Sequence, residues 1–238
     1  MSPHLETLEL EPERPATASV IWMHGLGADA HDFYSVPPEL RLPADLAVRY
    51  IFPNASKIPV TVNMGMLMRA WYDISGFDRR GQDEPRIRQS AVWIDELVDR
   101  EVQRGVSASR IVLAGFSQGG AMALFAGLRQ HDVLAGVMCL SGYLLLGDEI
   151  DQIAQASVKR PPIFQAHGTG DTVVPCDLGQ EGRDVLTRAG FGVEWHEYAM
   201  GHEVCLEEIR DVGSWLTRIL RPTPEDSHVT PSEETRRG

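Results

Sequence analysis

Residues 115–119 (GFSQG) carry the strongest chemical signal in the chain. They lie between residues 111–114, an apolar run typical of a strand, and residues 121–128, a run of helical character. A Gly-x-Ser-x-Gly turn between a strand and a helix holds a serine hydroxyl clear of the sheet edge, and its glycines avoid a collision around Ser117. The segment lacks the Lys-Ser/Thr ending of a phosphate-binding loop. A glycine-rich turn kept only for packing has the same five residues, and that alternative stays open at this point.

Two side chains in later turns suit the base and the orienting acid that a serine nucleophile needs. His202 follows the last predicted strand on a short turn, where a doubly wound sheet presents a loop at its carboxyl edge. Asp171 follows an earlier predicted strand and would hold the imidazole in one tautomer. The chain order Ser117, Asp171, His202 is that of an α/β-hydrolase triad. Taken singly, the acid and the base also suit caps of turns or helices, and Asp148 and Asp177 remain alternative acids.

Two backbone N–H groups are predicted to hold the oxyanion of a tetrahedral intermediate. One belongs to Gln118, the residue after the serine, at the start of the following helix. The other belongs to Leu26 in residues 24–27 (HGLG), where glycines let the backbone approach a substrate oxygen. A tight glycine turn without a catalytic role is the alternative for that segment.

The elements that must position these residues follow from hydrophobic periodicity. Short apolar runs without polar alternation alternate with helical patterns, which predicts an α/β fold with a mostly parallel central sheet covered by helices on both faces. The predicted strands cover residues 19–23, 48–52, 111–114, 136–140, 163–166 and 193–198, and the predicted helices cover residues 86–104, 117–129, 178–189 and 203–220.

The length of 238 residues fits one domain of this class. We expect the domain to span residues 1–220. Residues 221–238 contain three prolines and one aliphatic side chain, so this tail cannot bury a core and is predicted to be disordered.

The long irregular stretch of residues 53–83 contains apolar side chains, and long loops in a compact domain often cover an active or binding site. Met64, Met66, Leu67 and Trp71 are expected to line an acyl pocket, because flexible thioethers adapt to varied chains. Plain core packing is the alternative for these four side chains.

The charge and the cysteine content limit the kinds of binding partner and the cellular compartment that we expect for this protein. The chain has 34 acidic and 22 basic residues, a net charge of −12, and no basic cluster, so no nucleic-acid partner is expected. The first residues do not match a secretory signal, and no integral membrane segment is predicted. Three cysteines without close pairing suit reduced thiols in the cytoplasm. Their spacing does not suit zinc, so neither a metal nor a cofactor is expected, and a homodimer is left open.

Five segments together resemble the carboxylesterase and lysophospholipase family that includes the acyl-protein thioesterases. The resemblance extends over about residues 16–220, and the six-residue GFSQGG string after an early HGLG makes it specific. One departure is Glu203, which adds a negative charge beside His202 where the family often has serine. The segments are residues 24–27 (HGLG), 71–74 (WYDI), 115–120 (GFSQGG), 140–142 (LSG) and 167–171 (HGTGD).

This resemblance implies an α/β-hydrolase without a large cap domain. It implies a triad of Ser117, Asp171 and His202, with Leu26 and Gln118 at the oxyanion positions. It also implies hydrolysis of carboxylic esters or thioesters, including lysophospholipids.

The motifs and the resemblance therefore predict a serine hydrolase that cleaves carboxylic esters through an acyl-enzyme, acting on a small-molecule or lipid-like ester. Because the base must be neutral to accept a proton, activity is expected to fall at mildly acid pH. A serine peptidase or amidase would use the same triad, and a binding protein of hydrolase fold would keep the cavity without the reaction. Both alternatives stay open on the sequence.

Overall fold

The structure is a computed structural model, and it describes residues 5–77, 81–156 and 160–221. Strands and helices alternate along these residues. The strands are β1 (Thr7–Leu10), β2 (Ala18–Met23), β3 (Val48–Pro53), β4 (Lys57–Val60), β5 (Met66–Arg69), β6 (Ile111–Phe116), β7 (Gly136–Leu140), β8 (Ile163–Gly168) and β9 (Val193–Tyr198). The α-helices are α1 (Glu84–Gln103), α2 (Gln118–Gly127), α3 (Ile150–Ala156), α4 (Cys176–Arg188) and α5 (Leu206–Ile219).

One seven-stranded sheet organises the molecule, with strand order β1-β3-β2-β6-β7-β8-β9. β1 runs antiparallel to β3, and the other neighbouring strands are parallel. β2, β3, β7 and β8 are buried along their whole length, which explains their apolar runs without polar alternation. β4 and β5 form a separate antiparallel hairpin. The predicted, mostly parallel sheet is confirmed.

Helices cover both faces of the sheet, as the sequence predicts. On one face, Ile21 and Met23 of β2 join the core that contains the apolar sides of α1 and α2. On the other face, Trp22 joins the core formed by Val212 and Trp215 of α5. Alternate residues of one strand enter opposite cores because successive side chains point to opposite faces. No large cap domain covers the sheet within the described ranges, and the predicted α/β-hydrolase fold is confirmed.

The predicted strands and long helices agree with the structure to within a few residues. Three short elements were not predicted from the sequence. β1 is a half-exposed edge strand, the β4–β5 hairpin lies inside the stretch predicted to be irregular, and α3 is only seven residues long. The predicted tail lies outside the described residues except for Arg221, so the domain boundaries stay a prediction. None of the helices in the described part of the chain has the length and apolar character needed to cross a membrane.

The carboxyl ends of four parallel strands carry the predicted site. β2 leads into residues 24–27, and β6 leads into Ser117. β8 precedes Asp171, and β9 precedes His202. These ends lie at one edge of a parallel sheet, so the fold gathers residues that are far apart in sequence.

Candidate active site

Ser117 stands on a sharply bent turn between β6 and α2. Its φ is 55° and its ψ is −121°, a conformation that a residue with a side chain holds only where the surroundings impose it. A Cβ atom on Gly115 would lie 2.2 Å from the carbonyl carbon of Gly119, and a Cβ atom on Gly119 would lie 2.4 Å from the Met23 carbonyl oxygen. Both positions of the motif therefore require glycine, because a Cβ atom at either one would collide with the backbone.

His202 lies between Ser117 and Asp171 and contacts both. His202 Nε2 is 2.9 Å from Ser117 Oγ, and His202 Nδ1 is 2.6 Å from Asp171 Oδ2. An ionised carboxylate can only accept a hydrogen bond, so Nδ1 donates to it and the Nε2 lone pair faces the serine hydroxyl. The structure thus brings together the three predicted side chains in a geometry that allows proton transfer from serine to imidazole.

Two backbone donors and a second histidine hold Asp171. Its Oδ1 accepts hydrogen bonds from the N–H groups of Val173, at 2.9 Å, and Val174, at 2.8 Å. His167 Nε2 lies 3.4 Å from Asp171 Oδ2 and donates to the Val174 carbonyl at 2.8 Å. Burial lowers the pKa of His167, which favours its neutral form. These contacts direct Oδ2 towards His202. His167 is absent from the predicted site, although its place at the end of β8 is the signal that could have found it.

The alternative acids lie apart from this arrangement. Asp148 is in the short turn before α3, and Asp177 is in the first turn of α4. Glu203, beside His202 in the chain, is exposed to solvent. Within the described ranges, no group of three or more histidine, cysteine or carboxylate side chains is arranged to hold a metal ion.

Leu26 and Gln118, which carry the two predicted oxyanion donors, both line the cavity at Ser117. Gln118 is the first residue of α2, so its N–H lacks an acceptor within the helix. Leu26 lies in a turn closed by Gly27, whose φ is 79° and whose N–H donates to the Arg69 carbonyl at 2.9 Å. The two donors therefore come from separate loops that meet at the serine.

The cavity that opens at Ser117 has a volume of about 530 Å³ and a largely apolar wall. Its size and lining suit an acyl chain. Asp32 also lines it, and burial together with the nearby Asp29 raises the pKa of that carboxyl group. A groove of about 550 Å³ beside α5 contains none of the three triad residues. The apolar wall of the first cavity comprises Leu26, Val62, Ile74, Phe77, Phe116, Tyr143, Val173 and Val174.

The four side chains predicted to line an acyl pocket lie elsewhere, and this expectation needs correction. Met64, Met66 and Leu67 belong to the β4–β5 hairpin and its turn and are exposed, Met64 by 95%. Met64 and Gly65 both have positive φ, in the turn that joins β4 to β5. Trp71 is only 1% exposed and does not line the cavity. Apolar composition alone does not specify which way a hairpin faces.

Several cavity side chains were missed by the sequence reasoning, although their positions carry a signal. Tyr143 lies just beyond the end of β7, and Val173 and Val174 follow Asp171. The rule that ligands bind outside the carboxyl ends of parallel strands points to all three. Phe77 lies in the irregular stretch and has no comparable signal.

A parallel sheet with a serine on a strand-to-helix turn, and with an acid and a histidine on later loops, defines an α/β-hydrolase. Residues 8–220 match the model of the phospholipase/carboxylesterase family, and the chain belongs to that family. The protein is a serine hydrolase that acts on carboxylic esters.

Relatives and solved structures agree with this assignment. The chain is 41% identical over 221 residues to acyl-protein thioesterase 1 of Neurospora crassa, covering 89% of this chain and 90% of that protein. It is 36% identical to acyl-protein thioesterase 1 of Cryptococcus neoformans, covering 93% and 100% of the two chains. The crystal structure of Zea mays acyl-protein thioesterase 2 is similar, with a TM-score of 0.79, 26% identity, and coverage of 91% of this chain and 99% of that chain.

Proposed function

We propose that the protein hydrolyses acyl thioesters as well as oxygen esters, through a covalent acyl intermediate on Ser117. The observation that carries the proposal is the position of His202, 2.9 Å from the serine oxygen and 2.6 Å from the Asp171 carboxylate. The names of the relatives, acyl-protein thioesterases of Neurospora crassa and Zea mays, support the thioester.

Acylation begins when Ser117 Oγ attacks the carbonyl carbon of the substrate. His202 Nε2 takes the hydroxyl proton as the new C–O bond forms, and Asp171 stabilises the resulting imidazolium. The N–H groups of Leu26 and Gln118 donate to the oxyanion. The imidazolium then supplies its proton to the departing alcohol or thiol as the bond to the leaving group breaks.

Deacylation repeats the same steps with water. His202 removes a proton from a water molecule, whose oxygen attacks the acyl carbon on Ser117. The second tetrahedral intermediate collapses to release the carboxylic acid, and the proton returns to the serine oxygen. One acid–histidine pair therefore serves both halves of the reaction.

The apolar cavity supports an acyl chain as the part of the substrate that is recognised. Val62, Ile74 and Phe77 lie on its wall, and burial of each methylene group contributes about 0.8 kcal/mol to binding. The lining offers few polar groups of the kind that would fix a peptide backbone, which favours an acyl ester over an amide substrate.

We also propose a cytoplasmic location. Cys139, Cys176 and Cys205 are all unpaired. Unpaired thiols are typical of a reducing compartment.

Replacement of the nucleophile tests the proposed function. Ser117→Ala should lower kcat for p-nitrophenyl butyrate and for octanoyl-thiocholine by at least about 10⁴-fold and should abolish labelling by a fluorophosphonate. Ser141→Ala is a matched control, because Ser141 is also buried and also has a positive φ, of 48°, but lies outside the triad. Ester hydrolysis by Ser117→Ala within about tenfold of the unmodified protein would disprove the proposal.

Paired substrates test the bond that is cleaved. An oxygen ester, a thioester and an anilide with the same octanoyl group should be compared on the unmodified protein. The ester and the thioester should be hydrolysed at similar kcat/KM values, and the anilide far more slowly, because its amine leaves less readily. A higher kcat/KM for the anilide would favour the amidase alternative.

A further inference from the structure

The two oxyanion donors belong to loops that follow neighbouring strands, and the pairing of these strands ends at Met23 and Gly115, before either donor is reached. Leu26 follows β2, whereas Gln118 follows β6 and the serine turn. Donors must lie within 2.7–3.1 Å of the developing oxyanion, so their separation has to be fixed closely. A short segment, residues 69–72, contacts both loops, and three of its four residues, Ala70, Trp71 and Tyr72, are buried.

Residues 69–72 hold the Leu26 loop on both sides of Leu26. The Trp71 indole N–H donates to the His24 carbonyl at 2.9 Å. The Gly27 N–H donates to the Arg69 carbonyl, also at 2.9 Å. The residues on either side of the Leu26 peptide are therefore tied to the same short segment.

The same segment holds Gln118 through its side-chain amide. The Trp71 N–H donates to Gln118 Oε1 at 2.8 Å, and Gln118 Nε2 donates to the Tyr72 carbonyl at 2.8 Å. Gln118 and Trp71 are each only 1% exposed, so water cannot readily replace these bonds. Both ends of the amide thus hold the residue whose backbone N–H faces the substrate oxygen.

The segment is itself anchored to the core. Ser90 Oγ of α1 donates to the Trp71 carbonyl at 2.5 Å. The hydroxyl groups of Tyr72 and Tyr143 are 2.7 Å apart, and Tyr143 lines the cavity. On the other side, His24 Nε2 accepts the N–H of Ala55 at 3.1 Å, which orients the imidazole next to the Leu26 loop. A buried network therefore fixes the segment independently of the substrate.

We propose that Trp71 and the side-chain amide of Gln118 are positioning residues that set the distance between the two oxyanion donors. This inference rests on the proposed function of the site. Trp71 does not line the acyl cavity, and both polar atoms of the Gln118 amide are engaged by Trp71 and Tyr72. Loss of these bonds should therefore leave ground-state binding of substrate nearly unchanged. It should weaken the interactions that form with the oxyanion, which lowers kcat and leaves KM nearly constant.

Trp71→Phe tests the indole N–H, and Trp22→Phe is its matched control. Both tryptophans are 1% exposed, but the Trp22 Nε1 has no hydrogen-bond partner within the described residues. The two substitutions thus remove the same volume from a buried position, and only Trp71→Phe removes a bond. We expect Trp71→Phe to lower kcat for p-nitrophenyl butyrate by about 10- to 100-fold, with KM within about twofold. Trp22→Phe should keep kcat within about threefold of the unmodified value.

A second variant and a second readout keep the test independent of folding. Gln118→Met removes the amide and retains the backbone N–H, and it should lower kcat in the same range. An octyl trifluoromethyl ketone forms a tetrahedral adduct with Ser117, and the former carbonyl oxygen of that adduct occupies the oxyanion position. The corresponding secondary alcohol, which has no carbonyl group, binds without forming an adduct. Both positioning variants should lose affinity for the ketone by about the same factor as kcat, with unchanged affinity for the alcohol.

Three results would overturn the inference: kcat within about twofold of the unmodified value in both positioning variants, an equal loss in Trp22→Phe, or an equal loss of affinity for ketone and alcohol. If Trp71→Phe fails to fold, Gln118→Met decides alone. Failure of the proposed function is distinguishable, because it would appear as no ester hydrolysis by the unmodified protein or as full activity of Ser117→Ala.

Discussion

Gly119 of α2 packs so closely against Met23 of β2 that a Cβ atom at residue 119 would lie 2.4 Å from the Met23 carbonyl oxygen. Gly119→Ala is therefore expected to force α2 away from β2 and to displace Ser117 from the Leu26 loop. We expect kcat/KM for p-nitrophenyl butyrate to fall by about 100-fold and the free energy of unfolding to fall by about 1–3 kcal/mol. Steady-state kinetics and thermal unfolding measure the two effects. Gly192→Ala is the control, because a Cβ atom there meets open space, and an equal loss in both variants would contradict the explanation.

The 2.6 Å contact between His202 Nδ1 and Asp171 Oδ2 leads to a second prediction. Asp171→Asn keeps an oxygen for the two backbone donors but turns an amide N–H towards the imidazole. The imidazole must then carry its proton on Nε2, where it can no longer accept the proton of Ser117. We expect kcat to fall by about 10⁴-fold at pH 8. Asp148→Asn and Asp177→Asn are the controls, and a larger loss in either would assign the acid to that residue instead.

Much of this arrangement could be predicted from sequence because the chemistry constrains the residue types. The Gly-x-Ser-x-Gly turn needs two glycines for steric reasons, and the sheet pattern places the acid and the base at the ends of later strands. Strand and helix positions were predictable because strands buried on both faces have unbroken apolar runs. Each of these signals is local, or depends only on the order of elements along the chain.

The supporting contacts of the site were not predictable in the same way. Trp71 was expected in an acyl pocket, whereas its indole contacts the His24 carbonyl in the interior. Met64 and Leu67 share its apolar character but are exposed on a hairpin. Composition does not distinguish these environments, because which face of an irregular segment is buried depends on tertiary contacts with distant residues.

The wall of the cavity provides a third prediction, about chain length. Val173→Trp places a large side chain at a cavity position that is 57% exposed in the unmodified protein. We expect kcat/KM for dodecanoyl esters to fall about 10-fold relative to butanoyl esters, because added bulk obstructs long chains first. Leu67→Trp, at a position 63% exposed on the hairpin, is the control and should leave the chain-length profile unchanged. If Leu67→Trp alone changed the chain-length profile, the acyl chain would bind against the hairpin and not in the cavity.

The buried carboxyl group of Glu208 leads to a prediction about stability and pH. Glu208 lies buried in the first turn of α5, and neither of its carboxylate oxygens has a hydrogen-bond partner among the described residues. Burial, reinforced by Asp211, raises the pKa of Glu208 from 4.5 to about 8. The unfolded chain releases this proton near pH 4.5 while the folded protein retains it to about pH 8, so the contribution of this group to stability falls as pH rises between these values.

Removing the ionisable group should abolish that loss. Glu208→Gln is expected to unfold at nearly the same temperature as the unmodified protein at pH 4.5. At pH 9 it should be more stable by about 2 kcal/mol, equivalent to a rise in Tm of about 4–8 °C. Thermal unfolding followed by circular dichroism from pH 4.5 to 9 measures the difference. Glu207→Gln, exposed in the same helical turn, removes the same charge from the start of α5 without removing a buried one, and it should be no more stable than the unmodified protein at pH 9. A gain for Glu208→Gln that is constant across the pH range would exclude ionisation as its cause, because the cost of ionising a buried carboxyl group appears only as the pH rises above its value in the unfolded chain.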